Sequence, residues 1–449
     1  MSDRSLIAHG DARIAVASVG LFLAAGCARP PSPVHDLAPG HRFRHTAAPV
    51  ISSPVAYDVD ADGRKEIAVG SWDGSFYLLD TDLGLKPGWP CYSPKGFFSS
   101  ASVLRLKSGA VLLFASAESG KLFAWDAQGK TVAGYPVELG YRSWATPTIL
   151  DDGRIAIGTR GQFRVYGQDG HIVAPWPQSM RGWSDATAAS ARGILTVTTL
   201  TPGDPSRGRL YAWNQRGEAL PGFPVELHAD SDSSPALAEL DCDGRLYIVF
   251  GDDSGRLHAI ATNAVERAGF PVRTLGPHSD LPPLQHAPKG GNPYSIEASP
   301  AIGDIDADGF PDIVVGAWDG RVYAWDRHGK PLAGWPVTVG DQVISSAALV
   351  DLDGDNRLDV VVGSKDGHLY GWTGTAASLP GFPRDLGAPV FSSPWVGDLD
   401  NDARADIVIG ANNGIHRLRD VGPLGPSSWP MFHGNASRTG YRRRKDESR

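Results

Sequence analysis

Disulfides have almost nothing to build on here, because the 449 residues include three cysteines. Cys91 and Cys242 fall in the first and fifth copies of the repeat described below, four repeats apart, which predicts opposite sides of the molecule. A bridge needs Cα atoms within about 7 Å, so both are expected as thiols. Long apolar runs are scarce too. Residues 14–26 form the one candidate, and that is shorter than the ~20 residues of a membrane-spanning helix. Positive charge has no excess: the formal net charge is −8. Without a basic stripe, a nucleic-acid partner is excluded; Arg442 to Lys445 reads as a solvated end. Helical periodicity is missing after residue 27. No GxSxG, HExxH or P-loop occurs, which removes the enzyme classes those motifs define.

Glycine and proline are plentiful, at 54 and 35. With short β-branched runs between them, they predict an all-β chain. An aromatic-Pro pair, usually after glycine, recurs at Trp89-Pro90, Tyr135-Pro136, Trp176-Pro177, Phe223-Pro224, Phe270-Pro271, Trp335-Pro336, Phe382-Pro383 and Trp429-Pro430. The spacings are 46, 41, 47, 47, 65, 47 and 47 residues, the long one marking an insertion near 272–297. That is the period of a four-stranded propeller blade. Eight pairs predict eight blades of antiparallel strands, with seven as the alternative. The aromatics are expected to pack between blades.

Four blades open with an acidic loop. They are DVDADGRKE (Asp58, Asp60, Asp62, Glu66), DIDADGFPD (Asp304, Asp306, Asp308, Asp312), DLDGDNRLD (Asp351, Asp353, Asp355, Asp359) and DLDNDARAD (Asp398, Asp400, Asp402, Asp406). Carboxylates at loop positions 1, 3, 5 and 9 can converge on one hard cation. The position-7 carbonyl of Arg64, Phe310, Arg357 or Arg404 adds a ligand. Calcium takes six to eight such oxygens in flexible geometry. Gly309, at position 6, permits the sharp turn. Each loop runs directly into a buried strand, unlike an EF-hand between helices. About four structural calcium ions are expected, and they would bring the net charge near zero. A fifth copy, ELDCDGRLY, keeps Glu239, Asp241 and Asp243 but has Tyr247 at position 9, so it is expected to be a weak site. The second, third and fourth repeats lack the loop.

These DxDxDGxxD loops, the Gly-Ala-Trp-Asp-Gly and Gly-Ser-Lys-Asp-Gly turns and the VYAWD strands resemble the FG-GAP/VCBS repeats of integrin α-subunit propellers and secreted bacterial proteins. The resemblance covers residues 46–420. It implies a β-propeller with calcium between the first two strands of a blade, and it implies no single activity. Some polysaccharide lyases are similar in being calcium-bearing eight-bladed propellers; a site of that kind would draw on Tyr141, Arg142, His278 and Lys289. WPMFHGNASRTGY at 429–441 resembles a signature near quinoprotein-like propellers, including envelope-assembly lipoproteins; its plainer reading is a last strand that seals the ring.

Arg13 and the apolar run before Cys27 read as a signal peptide. LFLAAGC resembles a bacterial lipobox, which implies lipid attachment at Cys27 and a place in the bacterial cell envelope, on the outer membrane or periplasmic face; ordinary secretion is the alternative. The expected division is 1–27 signal peptide, 28–45 Pro-rich tether, 46–441 propeller and 442–449 disordered tail.

Calcium loops and second-strand turns must lie at opposite ends of a blade. The end away from the loops is expected to gather Trp72, Phe97, Arg142, Trp144, Trp183, Asp232, Tyr294, Glu297 and Trp318. Aromatics mixed with carboxylates suit a glycan or a protein loop. The expected function is a non-catalytic binding, adhesion or scaffold module, with a polysaccharide-active enzyme and an envelope-assembly scaffold as alternatives. His278 and His286 could pair on a metal.

Overall fold

The computed structural model describes residues 33–201, 203–204, 207–276 and 292–441. The expectations at 1–32, including Cys27, at His278, His286 and Lys289, and at 442–449 lie outside these residues.

Eight antiparallel sheets make up the described chain, and none of its elements is a helix. Blades 1 to 8 span 55–92, 102–138, 148–179, 189–226, 236–273, 301–338, 348–385 and 395–423. Blade 6 shows how the repeat folds. Its first strand, Ala301–Gly303, is fully buried and leads into the acidic loop. The β-branched run becomes the second strand, Asp312–Gly316, buried on both faces. Arg321–Trp325 follows, then a two-residue outer strand, Val337–Thr338. Antiparallel order puts the loops after first and third strands at one end, the loop face. The hairpins between second and third strands share the other end, the hairpin face, with the connections between blades.

The closing aromatics seal one blade to the next. Trp89 donates its indole N–H to the Ala127 carbonyl at 3.1 Å, the Tyr135 hydroxyl bonds the Gly167 carbonyl at 2.9 Å, and Trp335 bonds the Gly374 carbonyl at 2.9 Å. The preceding glycine has no alternative at blade 1: a Cβ on Gly88, where φ is +87°, would stand 2.1 Å from the Gln128 carbonyl oxygen. Seven of the eight aromatic-Pro bonds are cis. The exception is Trp429-Pro430, which does not close a blade. Trp429 ends a short strand, Ser427–Trp429, paired with the first strand of blade 7.

Blade 8 is completed from the other end of the chain. Its sheet runs 395–397, 404–411 and 414–423, then His41–His45 and Val34–Ala38. The tether expected at 28–45 is therefore corrected for residues 34–45, which are strands. His41–His45 pairs residue by residue with Gly414 to Leu418, so those residues satisfy the backbone of what would otherwise be an open edge.

A ring of hydroxyls also closes the molecule. The backbone N–H of Ser53 donates to Ser100 Oγ, Ser100 to Thr146, Thr146 to Thr187, Thr187 to Ser234, Ser234 to Ser299, Ser299 to Ser346, Ser346 to Ser393, and Ser393 back to Ser53, all at 2.8–3.3 Å. All eight residues are buried.

The C-terminal segment crosses the channel. Carbonyls of Pro426, Pro430, Ala436, Ser437, Thr439 and Gly440 accept amides in or directly after the first strands, those of Asp351, Val396, Val103, Ile149, Ser190 and Leu237, at 2.6–2.9 Å. Ser428 bonds the Ile302 carbonyl. The buried Arg438 guanidinium reaches the carbonyls of Ser53, Pro54 and Ala101. Every blade is touched. The segment seals the ring as expected, by threading its centre rather than as a blade's last strand.

Candidate metal loops and ligand face

Each acidic loop is prefolded by its own amides. In blade 6, Gly309 N–H donates to Asp304 at 3.1 Å, Asp308 N–H to Asp306 at 3.0 Å and Phe310 N–H to Asp308 at 2.8 Å. Gly309 has φ +92°, as the sequence requires, and Ala307 at position 4 has φ +64°. These turns bring the position-1, -3 and -5 carboxylates together. One oxygen from each of Asp58, Asp60 and Asp62 lies within 4.8 Å of the others, and the same holds for Asp304, Asp306 and Asp308, for Asp351, Asp353 and Asp355, and for Asp398, Asp400 and Asp402. Each trio could hold a metal ion.

Position 9 behaves differently from the expectation. Glu66, Asp312, Asp359 and Asp406 stay outside the trios; each spends one oxygen on the position-2 amide, of Val59, Ile305, Leu352 or Leu399. They are buried beneath the loop, where they supply charge.

How that charge is balanced divides the loops in two. In blade 1, Lys86 Nζ sits 2.8 Å from Asp60 and 2.9 Å from Glu66. In blade 8, the buried Arg417 guanidinium lies 2.6 Å from Asp400 and 2.9 Å from Asp406. The loops of blades 6 and 7 have no basic partner among the described residues. There burial first, then the neighbouring aspartates, push Asp312 up to about 8 and Asp359 up to about 7. An uncompensated buried carboxylate beside a converging trio fits a hard cation. In the fifth copy, Arg267 Nη2 pairs with Asp241 at 2.6 Å, Arg192 pairs with Glu239, and Asp243 lies 3.5 Å from Arg245; no trio forms there. The C-terminal segment borders a cavity of about 1450 Å³ on the loop face, rimmed by Arg105, Asp152 and Arg357.

The hairpin face separates into two halves. Over blades 1 to 4 it is aromatic and basic. Trp72, 40% exposed, meets the edge of Phe98 at 6.2 Å. Phe98 stacks on Trp144 at 4.7 Å and 13°, and the Arg142 guanidinium covers Trp144 at 4.4 Å. Trp144 donates its indole N–H to Glu118. Tyr141 and Trp183 lie 4.8 Å apart under Arg160. Phe97 does not belong to this face: it is fully buried against Phe76 and Trp125.

Over blades 5 to 7 the same face is acidic. Asp232, Asp253 and Glu297 bring carboxylate oxygens within 4.8 Å of one another. Burial and mutual repulsion raise the Asp232 carboxyl well above its usual range and hold Glu297 at about 8. The Trp318 indole approaches Glu297, and Asp232 Oδ1 is enclosed without a hydrogen-bond partner among the described residues. Tyr294 is exposed at the rim of blade 5, and Lys365 Nζ donates to the buried Gln342 amide oxygen at 2.7 Å. Sequence reasoning missed Arg160 and Asp253. Both sit in hairpin turns, and only the ring shows which turns meet.

Residues 304–362 match the family model of the FG-GAP-like repeat. No curated protein matches the sequence. Solved structures share the architecture at low identity. Saccharomyces cerevisiae Sqt1 has 17% identity and a TM-score of 0.62 over 86% of this chain and 98% of its own. A europium-containing methanol dehydrogenase has 13% identity and 0.59, over 84% and 85%. The computationally designed Ika8 protein has 14% identity and 0.53, over 84% and 98%. At such identities the likeness concerns the fold. The chain is an eight-bladed β-propeller that carries an FG-GAP-like repeat.

Proposed function

We propose that this propeller is a calcium-stabilised, non-catalytic binding module of the bacterial envelope, anchored through lipid on Cys27, with its hairpin face turned to a glycan or protein. One observation carries the calcium reading: the trio Asp304, Asp306 and Asp308 converges above a buried Asp312 that no basic side chain among the described residues balances. Calcium would bind in the loops and lock the first two strands of a blade together. The loops of blades 6 and 7 are the strong sites. Those of blades 1 and 8 hold an internal cation that calcium must displace. Extracellular modules bind calcium with Kd about 10⁻⁴–10⁻³ M. At ten times Kd each site adds about 1.4 kcal/mol, so the two uncompensated loops contribute about 3 kcal/mol. Thermal melting of the chain, begun after Cys27, tests this: Tm should fall by several degrees in EDTA and return with calcium but not magnesium. An unchanged Tm would remove the calcium reading. Binding is tested by retention on a glycan array with hits checked for cleavage.

A second reading, a polysaccharide-active enzyme, has one observation in its favour. Glu297, held near pH 8 beside Asp232, is a carboxyl with a general acid's pKa. Cleavage products lost in Glu297→Gln would establish it. The envelope-assembly scaffold would instead show as a crosslinked protein partner and no glycan retention.

A further inference from the structure

The hairpin face over blades 2 to 4 holds two arginines seated over aromatic rings, one of them, Arg142, within electrostatic reach of Glu118. The Arg142 guanidinium carbon stands 4.4 Å from the centre of the Trp144 ring, itself stacked on Phe98. Arg160 lies 4.6 Å over Trp183 and 5.2 Å over Tyr141. Among the described residues, neither guanidinium has a hydrogen-bond or ion-pair partner. Cation–π contact holds each guanidinium over its aromatic ring and leaves N–H groups for an outside acceptor. Those N–H groups form a rigid fork matched to the paired oxygens of a carboxylate or sulfate. Contact with the rings lowers the side-chain entropy left to lose on binding.

We propose that this strip takes an anionic polysaccharide, with Arg142 and Arg160 as forks for successive acidic groups. The inference rests on the binding-module reading and names its ligand class. Three observations favour this occupant. Among the described residues the two guanidiniums donate no hydrogen bond to the protein, and they are complementary to negative charge. The aromatic tiles beneath them run over several loops of an open face, which suits an extended chain of flat rings. The carboxyl trio at Asp232, Asp253 and Glu297 presents no cationic fork, which leaves blades 2 to 4 as the half of the face matched to a polyanion. A flexible acidic peptide would pay ordering entropy that a stiff sugar chain does not.

The test is calorimetric titration of the calcium-loaded chain with oligogalacturonate, a chondroitin sulfate oligosaccharide, a neutral cello-oligosaccharide and polyglutamate. An acidic sugar should bind, and more weakly as salt rises. Arg142→Gln with Arg160→Gln should lose at least tenfold in affinity, and the lysine pair should recover part of it. Tm and its response to calcium serve as the folding control for each variant. Preference for the uronate or for the sulfate identifies the anion. Equal binding of the neutral sugar, binding of polyglutamate as tight as that of either sugar, or full affinity in the double glutamine variant would overturn this inference and leave the binding-module reading intact. No binding by any probe also overturns it. The binding-module reading then stands or falls on the wider array and on crosslinking.

Discussion

Ser346 holds two bonds of the hydroxyl ring: its Oγ accepts the Ser299 amide, and its own amide donates to Ser393. Ser346→Ala strands a buried N–H, at a cost of about 1–3 kcal/mol. The urea midpoint should drop accordingly, and a neutral result would show that water replaces the hydroxyl. The ring was visible in the sequence only as Ser and Thr recurring at the blade period. A hydroxyl before a strand reads as a turn, and nothing local joins Ser393 to Ser53 across 340 residues. Lys86 and Arg417 were hidden for a related reason. Each stands outside the nonapeptide it neutralises, on a neighbouring turn or strand. Lys86→Met should lower Tm in EDTA, because Glu66 loses its counter-charge. Calcium should then close the gap and half-saturate at lower concentration, as followed by melting across a calcium series. An unaltered calcium response would mean that Lys86 does not compete for the site.

The acidic loop is the element the sequence states most fully: spacing, turn residues and the following buried strand were all legible. Only the withdrawal of position 9 was not, since it depends on where the position-2 amide points. That withdrawal gives a pH signature. Asp312 and Asp359 have folded-state pKa values of about 8 and about 7, above the ordinary value near 3.9. Their protonated forms suit the metal-free fold. Their contribution is therefore complete below about pH 4 and is lost as pH rises through 7 to 8. Calcium reverses the penalty, so the calcium-dependent gain in Tm should widen from pH 5 to pH 8. Melting with and without EDTA at both pH values decides it, and a constant gain would place these carboxyls outside the metal's influence. The outer strands of blade 8 are the opposite case. Val34–Ala38 is exposed along its whole length, without the alternation that marks a half-buried strand. Its neighbour His41–His45 is a strand because Gly414 to Leu418 offers it a partner. Deleting residues 33–45 should uncover that edge and yield aggregation in light scattering; a soluble monomer would show the hairpin to be dispensable.

At the scale of the molecule, blade count followed from periodicity and closure did not, because closure joins residues from opposite ends of the chain. Arg438 concentrates it. Its guanidinium is fully buried and meets carbonyls from blades 1 and 2 and from its own segment. Arg438→Met should cost about 3 kcal/mol or more, since charged hydrogen bonds are lost and carbonyls are left unpaired in the channel. Chemical denaturation should show it, and a near-wild-type midpoint would reduce the plug to a passive filler. The shared eighth blade also fixes an order of events during synthesis. The strand that residues 41–45 pair with, Gly414–Pro423, leaves the ribosome some 370 residues after them. At about 5–20 residues per second the first strands wait roughly 20–70 s for their partner. Seven blades can form in that interval, but the circle cannot close, and the open edges need guarding until Gly414–Pro423 emerges.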